Sequence, residues 1–67
     1  MRVTINGEPR ELAEGSTVAQ ALESLGLREL RGVAVELDGN LIEREAYGAT
    51  RLREGARLEA IRFVGGG

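Results

Sequence analysis

Thr17-Val18-Ala19-Gln20-Ala21-Leu22-Glu23-Ser24-Leu25-Gly26 is the stretch that decides the fold. Thr17 followed three residues later by Gln20 is a capping box, in which each side chain satisfies a backbone N–H at the start of a helix. Val18, Ala21, Leu22 and Leu25 then recur at i, i+3, i+4 and i+7, one apolar stripe of a helix. Glu23 and Gln20 lie off that stripe. Gly26 stands where a C′ glycine ends a helix in the left-handed conformation. One helix with one apolar stripe has to be covered by a sheet.

The flanking residues supply that sheet. Arg2-Val3-Thr4-Ile5 alternates polar and apolar, the period of a half-buried strand. Asn6-Gly7 follows, a strong hairpin signal because both positions tolerate positive φ. A second strand over Pro9 to Ala13 returns antiparallel, with Pro9 suited to an edge or a strand start because it has no N–H. Beyond the helix, Val33, Val35 and Leu37 alternate with Ala34 and Glu36 in a third strand. Asp38-Gly39-Asn40 is a turn and Leu41-Ile42-Glu43 a short fourth strand. Arg44 to Arg53 has no clean period and reads as a helical turn or loop, with Tyr47 and Leu52 pointing inward. Glu54-Gly55 turns into a last strand from Arg57 to Val64. The order hairpin, helix, hairpin, crossover, strand predicts an α+β domain, one main helix on one face of a mixed sheet of four to five strands. Residues 1–64 form the domain, and residues 65–67 are a flexible Gly-Gly-Gly tail.

Composition narrows the chemistry. The chain has 67 residues, nine basic and eleven acidic side chains and a net charge of −2. All nine basic residues are arginine, and there is no cysteine or histidine. Disulfides, thiolate or imidazole metal sites, a thiolate nucleophile, a lysine amine and a histidine base are therefore excluded. Near-neutral charge and 3% aromatic content speak against nucleic acid as a partner. So short a chain has little room for both a core and a ligand cleft, which favours a binding or carrier module over an enzyme. No apolar run approaches a membrane span and the N-terminus has no signal-like core, so the expectation is a soluble, cytoplasmic protein with no membrane partner. Glu11 and Glu14, near a turn, are expected to be solvated rather than a catalytic pair. Arg44, Arg53 and Arg62 are expected to form a solvated shell.

Two features remain. On the last strand Leu58 and Ala60 share one face, while Glu59, Ile61 and Phe63 share the other. If the first pair covers the helix, Ile61 and Phe63 project from the open face, either as scattered surface hydrophobes or as a docking patch. Gly65-Gly66-Gly67 then follows Phe63-Val64 directly. Three glycines bury no side chain and lose the most entropy on ordering, so they are either a frayed end or a stalk. A stalk of three extended residues reaches about 10 Å. It would carry the α-carboxylate into a narrow channel of another protein, where adenylation and sulfur attack need no side chain from the carrier.

Several segments together resemble a known family. They are Val3-Thr4-Ile5-Asn6-Gly7-Glu8, Gly15-Ser16-Thr17-Val18-Ala19-Gln20-Ala21-Leu22, Val33 to Asn40, Arg44-Glu45-Ala46-Tyr47, Glu54 to Glu59, and Phe63-Val64-Gly65-Gly66-Gly67. In order and spacing they resemble the ThiS family, sulfur carriers of thiamine thiazole biosynthesis with the ubiquitin-like β-grasp fold. The resemblance covers the whole chain. It departs from the family's pattern at Glu43, where many members have proline. It implies that the first and last strands are adjacent and parallel at the sheet centre. It implies that an E1-like adenylyltransferase (ThiF) adenylates Gly67 with ATP and magnesium, that a sulfur donor system converts the C-terminus to a thiocarboxylate, and that thiazole synthase (ThiG) receives the sulfur. Gly65 and Gly66 would thread the partners' channels, and Ile61 and Phe63 would dock both partners. ATP and magnesium would belong to the activating partner, with no cofactor or metal bound by this chain. The competing readings are a related β-grasp carrier for molybdopterin or tRNA thiolation, and a non-catalytic binding module.

Overall fold

The computed structural model describes residues 1–63. Strand β1 (Arg2–Ile5) and strand β2 (Glu8–Glu11) form the first hairpin. Helix α1 (Val18–Ser24) follows, then the hairpin of β3 (Val33–Leu37) and β4 (Asn40–Ile42). A 3₁₀ turn at Arg44–Ala46 leads back over the core to β5 (Arg57–Arg62). The expected boundary at residue 64 and the glycines 65, 66 and 67 lie outside the described residues.

Both hairpins close with two-residue turns. Asn6 and Gly7 have φ of 51° and 82°, and Asp38 and Gly39 have 51° and 86°. Two successive positive φ values give the turn whose twist matches paired strands, and asparagine, aspartate and glycine are the residues that tolerate them. The strand bounds differ from the sequence reading by a residue or two. β2 ends at Glu11, paired with Arg2, because β1 has no earlier residue within the ladder. The Leu12 N–H still donates to the Met1 carbonyl at 2.9 Å. β4 begins at Asn40 because the tight turn places it directly opposite Leu37. Glu43, where many family members have proline, sits at φ −73° and ψ 145°. That φ is the one a proline ring would fix, so the substitution keeps the turn.

The sheet order is β2-β1-β5-β3-β4. β5 is central, parallel to β1 and antiparallel to β3. This is the ubiquitin-like β-grasp arrangement, and the first and last strands lie adjacent and parallel as expected. Helix α1 packs its stripe on one sheet face. Val18, Ala21 and Leu22 are buried there with Val3, Ile5, Val35 and Leu58 from the strands. Leu25, at the helix C-cap, is only partly buried. The capping box is formed: the Gln20 N–H donates to Thr17 Oγ1 at 3.2 Å, and the Thr17 N–H donates to Gln20 Oε1 at 2.9 Å.

The aperiodic segment completes the core. Tyr47, Leu52 and Ala56 are buried against it. Its position is set by backbone bonds to the start of α1, whose first amides have no partner within the helix. The Val18 N–H donates to the Thr50 carbonyl at 2.9 Å and the Ala19 N–H to the Tyr47 carbonyl at 3.0 Å. The Leu52 N–H returns a bond to the Ser16 carbonyl at 2.8 Å.

Candidate functional site

The fold fixes which face of β5 is free. Leu58 is fully buried under α1, and Ala60 is partly buried on the same side. Ile61 and Phe63 point the other way and are 46% and 66% exposed. The chain thus leaves the central strand beside two bare apolar side chains. Ala34 sits directly opposite Ile61 on β3 and adds to the same patch.

Leu41 belongs to that face too. It pairs with Glu36 on β3, which pairs with Glu59 on β5, and directly opposed residues share a sheet face. At 67% exposed, Leu41 is as bare as Phe63. The sequence reading placed it in a strand without assigning its face. The Leu41-Ile42 alternation, phased from the Asp38-Gly39 turn, was the signal that could have found it. Leu41, Ile61 and Phe63 are the exposed large hydrophobic residues among those described. Glu36 and Glu59 stand between Leu41 and the Ile61 end, so carboxylates border the apolar groups.

The exit of β5 is anchored on its β3 side. The Phe63 N–H donates to the Gly32 carbonyl at 2.7 Å. Arg62 Nη2 donates to the Glu29 carbonyl at 3.2 Å, so Arg62 is tied to the connection before β3 rather than only solvated. Glu29 in turn holds Arg31 at 3.1 Å, and these hydrogen bonds from Arg31 keep its carboxyl below the usual carboxylate range. Arg44 and Arg53 are exposed, as expected. Glu11 and Glu14 are exposed as well, each near the Met1 amino group at 3.6 and 3.5 Å.

Three shallow hollows mark the surface. One of about 250 Å³ lies under the β5 exit, between Asn6, Leu25, Leu27, Val33, Ala60 and Arg62. Another of about 310 Å³ flanks β4 beside Leu41. The largest, about 650 Å³, lies beside α1 and includes Leu27, Arg28, Leu30, Arg44 and Tyr47. Among the described residues, no group of three or more metal-ligating side chains converges. No helix among them is long and apolar enough to cross a membrane. Gly65, Gly66 and Gly67, the other expected site residues, lie outside the described residues.

Comparison with known proteins gives a consistent picture. The crystal structure of the thiamine biosynthesis protein ThiS from Geobacter metallireducens superposes with a TM-score of 0.84 at 39% identity, over all of both chains. The solution structure of a thiamine biosynthesis protein from the same organism gives 0.79 at 39% identity, over all of this chain and 88% of that one. A thiazole synthase of Magnetococcus marinus is 37% identical over 67 residues, and one of Paramagnetospirillum magneticum is 36% identical over 67. This chain spans only 20% of the length of each of those two relatives. The model of the ThiS family matches residues 3–67. With that match running from the first strand through the final glycine, and a ThiS crystal structure superposing over its whole length, the chain belongs to the ThiS family.

Proposed function

We propose that this chain is a sulfur carrier of thiamine biosynthesis whose Gly67 α-carboxylate is the working group. In this reading an E1-like adenylyltransferase, ThiF, attacks ATP with the Gly67 carboxylate oxygen. Pyrophosphate leaves and an acyl-adenylate forms. A sulfur nucleophile from a donor system then adds to that carbonyl, AMP leaves, and resolution of the adduct gives the thiocarboxylate. Thiazole synthase, ThiG, takes the sulfur. The carrier contributes no acid, base or nucleophilic side chain, in keeping with a sequence free of cysteine, histidine and lysine. Adenylation removes the negative charge that makes a carboxylate a poor electrophile. The carrier is thus a substrate of its partners, not an enzyme.

The observation that carries the reading is the whole-chain correspondence with the ThiS family, which includes the terminal glycines. The open face supports it. Leu41, Ile61 and Phe63 are exposed on the face turned away from the helix, and Ile61 and Phe63 lie just before Gly65. Bare apolar groups of this kind mark interaction surfaces, and docking there would bring the following glycines to the partner. The likeness to one region of thiazole synthases supports ThiG as the acceptor.

The test is reconstitution. The chain is incubated with ATP, magnesium, ThiF and a sulfur source, and its intact mass is measured. The expected product has one oxygen of Gly67 replaced by sulfur. An unchanged mass with an activating enzyme that converts another ThiS protein would refute the reading.

A further inference from the structure

The first hairpin reaches the exit of β5 through one side chain. β1 pairs with β5 only at Thr4↔Arg57 and Ile5↔Leu58, and then turns away at Asn6-Gly7. β5 runs on to Arg62. The bonds along this side step evenly: the Thr4 N–H donates to the Ala56 carbonyl at 2.9 Å and the Asn6 N–H to the Leu58 carbonyl at 2.9 Å. The next rung comes from β5, whose Ala60 N–H donates to Asn6 Oδ1 at 2.8 Å. The carboxamide oxygen stands where the carbonyl of one more β1 residue would stand. Among the described residues, no other group of the first hairpin bonds β5 beyond Leu58.

We propose that Asn6 is a positioning residue for the C-terminal glycines, setting the direction in which the chain leaves the central strand; this rests on the sulfur-carrier reading. On its β3 side the exit is held by the ladder, the Gly32 carbonyl and the Arg62–Glu29 bond. On its β1 side the rung from Asn6 is the counterpart. A strand held from both sides has one direction, whereas a strand held from one side can swing about that ladder. A partner that must receive the following residues in one orientation then loses binding to the orientations it rejects. Position 6 also demands positive φ, which glycine supplies without the oxygen and aspartate supplies with it.

Asp38 provides an internal control. It too sits at φ 51° in a two-residue turn, and its Oδ1 accepts from the Arg57 N–H at 2.9 Å. It therefore holds the entrance of β5 as Asn6 holds the exit. Asn6→Gly and Asp38→Gly each remove one side-chain acceptor and keep the turn. A merely structural role makes the two variants alike.

The experiment reads amide hydrogen exchange by NMR and the kinetics of ATP–pyrophosphate exchange with ThiF. In Asn6→Gly, exchange should quicken at Ala60 and also at Ile61 and Phe63, by roughly fivefold, the order expected when one net hydrogen bond is lost. KM for the carrier should rise by a similar factor of about five with kcat unchanged, because only uniform binding is lost. Asn6→Asp should restore both, and Asp38→Gly should leave KM at its native value. Unchanged exchange at Ile61 and Phe63, or an equal KM rise in Asp38→Gly, would overturn the proposal. A native chain that supports no pyrophosphate exchange would overturn the sulfur-carrier reading and this proposal together, whereas the amide rates and the Asp38 comparison bear on Asn6 alone.

Discussion

Leu58→Ala and Ile61→Ala truncate two side chains three positions apart on β5, one on each face of the sheet. Leu58 is 0% exposed and Ile61 46%. Leu58 lies in a core whose other fully buried large side chains are Ile5, Leu22, Val3, Val18 and Val35. So small a core has little capacity to close over a lost side chain, and a buried leucine truncation costs about 2–5 kcal/mol. A domain of this length is stable by roughly 3–10 kcal/mol in total. The cost is therefore a large share of the whole, and at about 4–8 °C per kcal/mol it lowers Tm by at least roughly 10 °C. Ile61 leaves no sealed cavity when truncated, and its cost should stay within about 1 kcal/mol. Binding to ThiF should reverse the order. A central apolar anchor lost from an interface costs about 1–2 kcal/mol, or on the order of tenfold in Kd. Urea unfolding followed by circular dichroism gives the first quantity and calorimetric titration of ThiF the second. Equal destabilisation by the two variants would refute the assignment of faces. Native affinity in Ile61→Ala would refute docking through that side chain.

Three further outcomes are expected. Burial pushes the Tyr47 phenol above its ordinary value of 10.0, with Glu45 adding to the shift and Arg44 opposing it. A raised folded-state value means that this contribution is intact below the ordinary phenol range and is lost as pH rises through the folded value. With no lysine or cysteine titrating nearby, the urea midpoint should fall above about pH 10, and Tyr47→Phe should remove that fall; a Tyr47→Phe curve parallel to the native one would contradict this. Gly32 has φ 74°, and a Cβ there would lie 3.5 Å from the Phe63 carbonyl oxygen, so Gly32→Ala should cost about 1–2 kcal/mol in urea unfolding. Deleting Gly66 and Gly67 should leave the melting curve unchanged, since glycine has no side chain to bury, while abolishing thiocarboxylate formation by mass; a lowered Tm would show that these residues contribute to the fold.

The helix and both hairpin turns were legible because their signals are local. Thr17 and Gln20 satisfy each other across three residues, and Asn6-Gly7 and Asp38-Gly39 name their own backbone angles. The alternation of Leu58 and Ala60 against Ile61 and Phe63 gave the phase of β5, and the structure keeps it. What local pattern does not carry is how one element meets another. Arg44 to Arg53 showed no period because backbone bonds from Thr50 and Tyr47 to the start of α1 place it, and those bonds are indifferent to side chains. The face of Leu41 depends on register across two strand pairings, and the bond from Ala60 to Asn6 spans 54 positions. Both bear on the candidate site and both are set by tertiary geometry. The tail's role came from resemblance to a family, since three glycines by themselves fit a frayed end equally well.

The central claim is that the folded body presents a glycine carboxylate for sulfur loading. The intact mass of the protein isolated from its native host tests this most directly, with fragmentation to place any modification. The account predicts a population ending at Gly67 in which one terminal oxygen is replaced by sulfur. A protein whose mature form lacks Gly67, or carries only unmodified carboxylate while thiazole is being made, would contradict it.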